Sequence, residues 1–174
     1  MKGYLISIMR IDYQRPIGNV LCIVEGAHRE FMILYKIFHD ILGYQYESIR
    51  RSKGFSYKKY SSPENKHSRV CVINAKESNI GSIARDDEFL NDLFLELIEK
   101  YDFPVHRSAI YYIWDRDPLS NTDTGFIENQ LHILQNAQDN GINMQGLLLL
   151  SYPSIEAYWA QCFLPECFHC ELCK

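Results

Sequence analysis

Three apolar runs in this 174-residue chain end in acid: Val24 precedes Glu25, Trp114 precedes Asp115 with Asp117 two positions further, and Leu147 to Leu150 lead to Ser151 and Glu156. Side chains alternate with period two along an extended backbone, so Asp115 and Asp117 point to the same side. In an open α/β sheet, ligands sit beyond the carboxyl ends of the parallel strands. Acids distant in sequence can meet there. Converging carboxylates repel one another, and a hard divalent cation offsets that repulsion. Mg²⁺, or Mn²⁺ in its place, suits such a site, because Mg²⁺ takes oxygen ligands at about 2.0–2.1 Å and keeps several waters. Each acid also has a plainer reading. Glu25 can favour the positive end of the helix that follows it, and Asp117 before Pro118 can be a turn residue.

A second group of possible ligands is soft. Cys162, Cys167, Cys170 and Cys173 crowd the last thirteen residues, with His169 among them. Cys-x-x-Cys-x-x-Cys spacing offers enough thiolates for Zn²⁺, and free thiols in a tail are the alternative. Cys22 and Cys71 lie in apolar runs and read as small buried hydrophobes.

Charge is segregated. The chain carries 18 Lys+Arg and 22 Asp+Glu, a net −4, yet residues 50–69 hold seven basic residues and one acidic one, a net +6. The remainder therefore carries −10. Within that stretch Arg50, Arg51, Lys53, Lys58 and Lys59 are interleaved with Phe55, Tyr57 and Tyr60. Cations can contact phosphates while rings stack on bases, the pattern of single-strand binders. A solvated loop is the competing reading.

The elements that must position these residues follow from periodicity. Asn19 to Val24, Arg69 to Asn74, Ser108 to Trp114 and Leu147 to Leu150 are short apolar runs, expected as inner strands. Tyr4 to Met9 is expected as a peripheral strand. Ala27 to Leu42 places Phe31, Leu34, Tyr35, Phe38, Ile41 and Leu42 on one helical face, and Gly43 stops it. Residues 86–101 and 124–140 are expected as helices, and Pro153 opens a last one. Gln45 to Arg50 is a candidate strand. The basic stretch after it, rich in Ser, Gly, Pro and Asn, reads as a loop or insertion over residues 43–70. Strands alternating with helices predict an α/β three-layer sandwich with a mainly parallel sheet. A single domain spans residues 1–164, and a Cys-rich tail covers 165–174.

The order Glu25-Gly26, then Asp115-x-Asp117, resembles the TOPRIM fold, the Mg-binding domain of topoisomerases, primases and certain nucleases. Leu-Leu-Ser151-Tyr-Pro-Ser-Ile-Glu156-Ala-Tyr-Trp is similar to the corresponding segment of the RloB-like and OLD-type branches, and so is Ile-Trp-Asp115-Arg-Asp117. The resemblance covers roughly residues 19–164. It implies a Mg²⁺-dependent nuclease that hydrolyses phosphodiester bonds in DNA or RNA, with Glu25 as general acid or base or as a ligand. Asp115 and Asp117 would hold Mg²⁺, Glu156 would be a further ligand, and Ser151 would help to position it. It also implies a role in bacterial or phage defence, with an ATPase as a possible partner. Two rivals stand beside it: a non-catalytic metal- or nucleic-acid-binding module, and an interaction subunit in which the acids only cap helices.

Composition narrows the field further. With 47% hydrophobic and 23% charged residues the chain reads as globular. It holds no run of about 18 apolar residues, so no membrane segment is expected, and a cytoplasmic location is. The absence of Gly-x-x-x-x-Gly-Lys-Ser/Thr argues against an ATPase core within the chain. Without Gly-x-Ser-x-Gly, an α/β-hydrolase elbow is disfavoured.

Overall fold

Strand β1 (Asn19–Val24) sits at the centre of the molecule, with four consecutive buried residues from Leu21 to Val24. A computed structural model of the chain describes residues 17–26, 28–50, 56–75, 87–116, 122–137, 146–152 and 154–157. After β1 come α1 (Arg29–Tyr35), which runs on as a π-helical turn over Lys36–Ile41, then β2 (Gln45–Arg50), β3 (Ser56–Ser61) and β4 (Arg69–Asn74). Then follow α2 (Asp87–Tyr101), a short 3₁₀ turn at Val105–Arg107, β5 (Ser108–Asp115), α3 (Thr124–Ile133) and β6 (Leu147–Ser151).

The six strands form one sheet in the order β2-β3-β4-β1-β5-β6. Strand β1 pairs in parallel with both β4 and β5, and β5 pairs in parallel with β6. Strands β2 and β3 pair antiparallel with each other, and β3 pairs antiparallel with β4. The fold is thus α/β with a mixed sheet: three of its five strand pairings are parallel, as strand–helix alternation suggests, and the two that β3 makes are antiparallel. The difference lies in residues 43–70. Within that range Gln45–Arg50, expected as a strand, and Ser56–Ser61, expected as part of a loop, contribute a two-stranded extension to the sheet. Tyr57 and Tyr60 explain it, since both are almost fully buried, one on each face. Polar residues between them mask the strand signal in the sequence.

Period two along the inner strands sends alternate side chains to opposite sides. Cys22, Val24, Val70 and Val72 pack with Phe31, Leu34 and Phe38 of the α1 region. Leu21, Ile23, Cys71, Ile73, Ile110, Tyr112 and Trp114 pack on the other face with Phe94 and Leu97 of α2 and Ile127 of α3. Strands buried on both faces are the reason these runs are continuously apolar.

Two helix ends are informative. Gly43 stops the first helix as expected, in the left-handed region at φ 70°. The helix expected over 124–140 ends at Ile133 instead. Leu134 turns inward and is buried, its N–H bonds the Gln130 carbonyl, and Gln135 bridges antiparallel to Leu147. Burial of Leu134 and pairing with the sheet outweigh continued helix. The expected strand at Tyr4 to Met9 and the tail at 165–174 lie outside the described residues. Among the described residues, no helix is long and apolar enough to cross a membrane.

Candidate active site at the carboxyl ends of the strands

The topology itself selects a place for a ligand. From β1 the chain leaves through α1 toward β2, β3 and β4 on one side of the sheet. From β5 it leaves through α3 toward β6 on the other side. The two connections diverge, and divergence opens a crevice at the carboxyl ends of the adjacent strands β1 and β5. Glu25 follows β1 at this crevice, and Asp115 is the last residue of β5.

The two residues meet across 90 positions of sequence. The Asp115 N–H donates to Glu25 Oε2 at 2.9 Å, and the Glu25 N–H donates to the Ile113 carbonyl at 3.1 Å. Asp115 is held in turn by β6 and the helical turn beyond it. The Ser151 hydroxyl donates to Asp115 Oδ1, and the Ile155 N–H donates to the same oxygen at 2.9 Å. The Arg116 N–H closes the junction on the Ser151 carbonyl at 2.9 Å. Both donors to Asp115 fall on Oδ1, so Oδ2 has no hydrogen-bond partner among the described residues. Charge-assisted bonds of this kind fix one oxygen and aim the other.

The chain matches no protein-family model, no curated protein and no solved structure.

Glu156 lies in the turn of helix after β6 and forms an ion pair with Arg29, the first residue of α1. The Ser154 hydroxyl, helped by the residue's own N–H and by Arg29, holds the Glu156 carboxyl below the usual range, against the opposing pull of partial burial. The pair links the segments that follow β1 and β6, the strands on either side of β5. Glu156 is therefore near the crevice but engaged with a cation. Asp117 lies outside the described residues.

Glu30 joins the group, although the sequence does not single it out. It is buried, at 8% exposure, in the first turn of α1. Its carboxylate lies against Gly26: a Cβ there would stand 2.6 Å from Glu30 Oε2. Its signal in the sequence is an acid in the first turn right after Glu25-Gly26, which also reads as ordinary helix-dipole complementarity.

As to a metal, no three His, Cys, Asp or Glu side chains among the described residues are arranged to hold one together. The donors present are nevertheless hard oxygens, which suit Mg²⁺ rather than Zn²⁺. The four tail cysteines lie outside the described residues. Cys22 and Cys71 face opposite sides of the sheet.

The basic residues are divided by the strand period. In β3, Lys58 lies on the α1 side, where its Nζ donates to Ser48 Oγ at 2.7 Å and stands 5.7 Å from the Phe31 ring centre. Lys59 lies on the opposite side and pairs with Glu47 at 3.6 Å. Arg50 ends β2 opposite Ser56, and Tyr57 pairs with Ile73 near the end of β4. That places Arg50 at the same end of the sheet as Glu25 and Asp115. Arg51 and Lys53 lie outside the described residues.

Proposed function

We propose that this chain is a Mg²⁺-dependent nuclease with a TOPRIM-like three-layer core, hydrolysing phosphodiester bonds in DNA or RNA. The observation that carries the reading is the contact between Glu25 and Asp115 at the topological switch point, with Asp115 oriented by Ser151 and the Ile155 N–H. Resemblance to RloB-like and OLD-type chains supplies the defence role and an ATPase partner, and the lack of a long apolar run supports a cytoplasmic setting.

The roles follow from chemistry. Glu25 and Asp115 supply oxygen donors for Mg²⁺, and Asp117 and Glu30 are the nearest further carboxylates in sequence. A Mg²⁺ held by these carboxylates would supply Lewis-acid chemistry, polarising a phosphodiester and lowering the pKa of a bound water. Ser151 holds one oxygen of Asp115, which would leave the other for the metal. Arg29 brings a positive charge to an acidic site, and a phosphate can compete with Glu156 for its guanidinium. Glu25 serves as proton acceptor or donor when it is not a ligand.

The test is cleavage of labelled single- and double-stranded DNA and RNA with Mg²⁺, Mn²⁺ or EDTA. Wild type should cleave with either metal and stop with EDTA, and Asp115→Ala should fall by at least about two orders of magnitude, the loss expected when a charge-stabilising group leaves such a site. Equal activity in the two proteins overturns the reading. Mg²⁺-dependent thermal stabilisation with no turnover on any substrate leaves the non-catalytic binding module instead.

A further inference from the structure

The α1 side of the sheet carries a groove of about 410 Å³ between the first helix and the β2–β3 extension, lined by His28, Met32, Tyr35 and Lys36 on one wall and Lys58 on the other. His28, Met32, Lys36 and Asp40 recur at helical spacing, so the helical wall extends about 18 Å by rise per residue. Its first residue lies three positions after Glu25, so the groove opens at the carboxylate end of the sheet. Its cations are Lys58 and Lys36, the latter 3.7 Å from Asp40. Lys58 Nζ also stands 5.9 Å from the ring centre of Tyr46, which is exposed and meets Tyr35 edge-to-face at 5.0 Å. Arg50 shares this face, because Tyr46, Ser48 and Arg50 alternate with Glu47 and Ile49 along β2.

We infer that this groove is the track along which a single-stranded nucleic acid reaches Glu25 and Asp115. The inference rests on the nuclease reading for its direction, but its binding chemistry stands separately. Lysines beside the exposed Tyr46 ring and the half-buried Tyr35 ring suit a flexible polyanion whose bases can stack. Cations on both walls of the groove, Lys36 on the helix and Lys58 on β3, would hold the backbone of one strand, and only unpaired bases offer their faces to the rings beside them. An acidic peptide would use the lysines and leave the rings idle, so a nucleic acid is the better match.

The strand period provides the test. Lys58 and Lys59 are adjacent and chemically identical, yet only Lys58 faces the groove. Binding of a fluorescent oligothymidine to the full chain is measured by anisotropy in EDTA, where no cleavage can occur. Lys58→Ala combined with Lys36→Ala should weaken binding about tenfold and flatten the salt slope by about 1.4, from about 0.7 per phosphate contact on a single strand. Lys59→Ala should change it less than about twofold, and Lys58→Arg should keep most of the affinity. Equal losses from Lys58→Ala and Lys59→Ala overturn the inference. So does a duplex that binds as tightly, or polyglutamate that competes as well as the oligonucleotide. Thermal melts identify a variant that has lost its fold, and Lys58→Arg then carries the comparison. Because the readout is binding without metal, an inactive site leaves this result intact, and a failed groove leaves the Asp115→Ala cleavage result intact.

Discussion

Ser151 orients Asp115, a carboxylate of the proposed site. Its hydroxyl and the Ile155 N–H hold the same oxygen of Asp115. Partners that orient metal-ligating groups typically contribute about 10–100-fold to affinity or activity. Ser151→Ala should therefore lower Mg²⁺-dependent cleavage by about that factor with little change in the melting temperature, and cleavage rates beside a thermal melt check it. Gly26 works through its neighbour. The atom that an added Cβ would meet is the end of the Glu30 side chain, not backbone. Gly26→Ala should displace that carboxylate at small cost to stability and raise the Mg²⁺ concentration needed for half-maximal cleavage. Glu156 has a pH signature. Its carboxyl lies below the ordinary 4.5 when folded, so its contribution is present above that pH and fades as the pH falls below it. The difference in urea midpoint between wild type and Glu156→Gln should narrow between about pH 5 and about pH 3. A difference that stays constant or widens contradicts the assigned ion pair.

Elements show how packing overrules local pattern. The β2–β3 extension is fastened to the first helix by rings: Tyr35 meets Tyr46 and Tyr60, and Phe38 meets Tyr60 at 5.5 Å and Tyr44 at 5.9 Å. Tyr44 and Ser68 share a buried hydrogen bond of 2.6 Å. Beneath these contacts the helix widens into a π-turn, where the Leu42 N–H reaches back to the Ile37 carbonyl. The start of β6 is equally tight. A Cβ on Gly146 would meet Tyr112 Cε2 at 2.5 Å and Ile110 Cγ2 at 3.1 Å. Tyr112 is buried in the core and cannot swing away. Gly146→Ala should cost about 1–3 kcal/mol, read as a lower urea midpoint. The inner strands and the first helix were legible because a continuous apolar run or a 3.6-residue stripe can bury its side chains in few other ways. Of the hairpin, β2 was legible at Gln45 to Arg50, but β3 was not. A strand with Lys58 and Lys59 between its buried tyrosines shows no period-two pattern, and only the partner β4 makes it a strand.

At the scale of the whole molecule, the fully buried central strands should be the part that opens last. Cys22 sits on β1, and burial pushes its thiol up to about 12. It should react with a thiol reagent no faster than the protein unfolds globally. Peptide mapping of Cys22 after timed labelling checks this, and fast labelling in native buffer would show that the sheet opens locally. Charge is also organised at this scale. Among the described residues the lysines of the basic stretch part company: Lys58 lies over Phe31 of the first helix, and Lys59 pairs with Glu47 on the far side.

Residue order alone determined that helices separate the four apolar strands and that acids lie at or beyond the ends of three of them. Those properties are written in hydrophobic period and in neighbours along the backbone. Whether Glu25 and Asp115 touch, which lysine faces which side, and that Glu30 lies against Gly26 were decided only by the tertiary structure. Strand order, register and the face on which each connection crosses depend on contacts between residues far apart in sequence, and no local pattern encodes them.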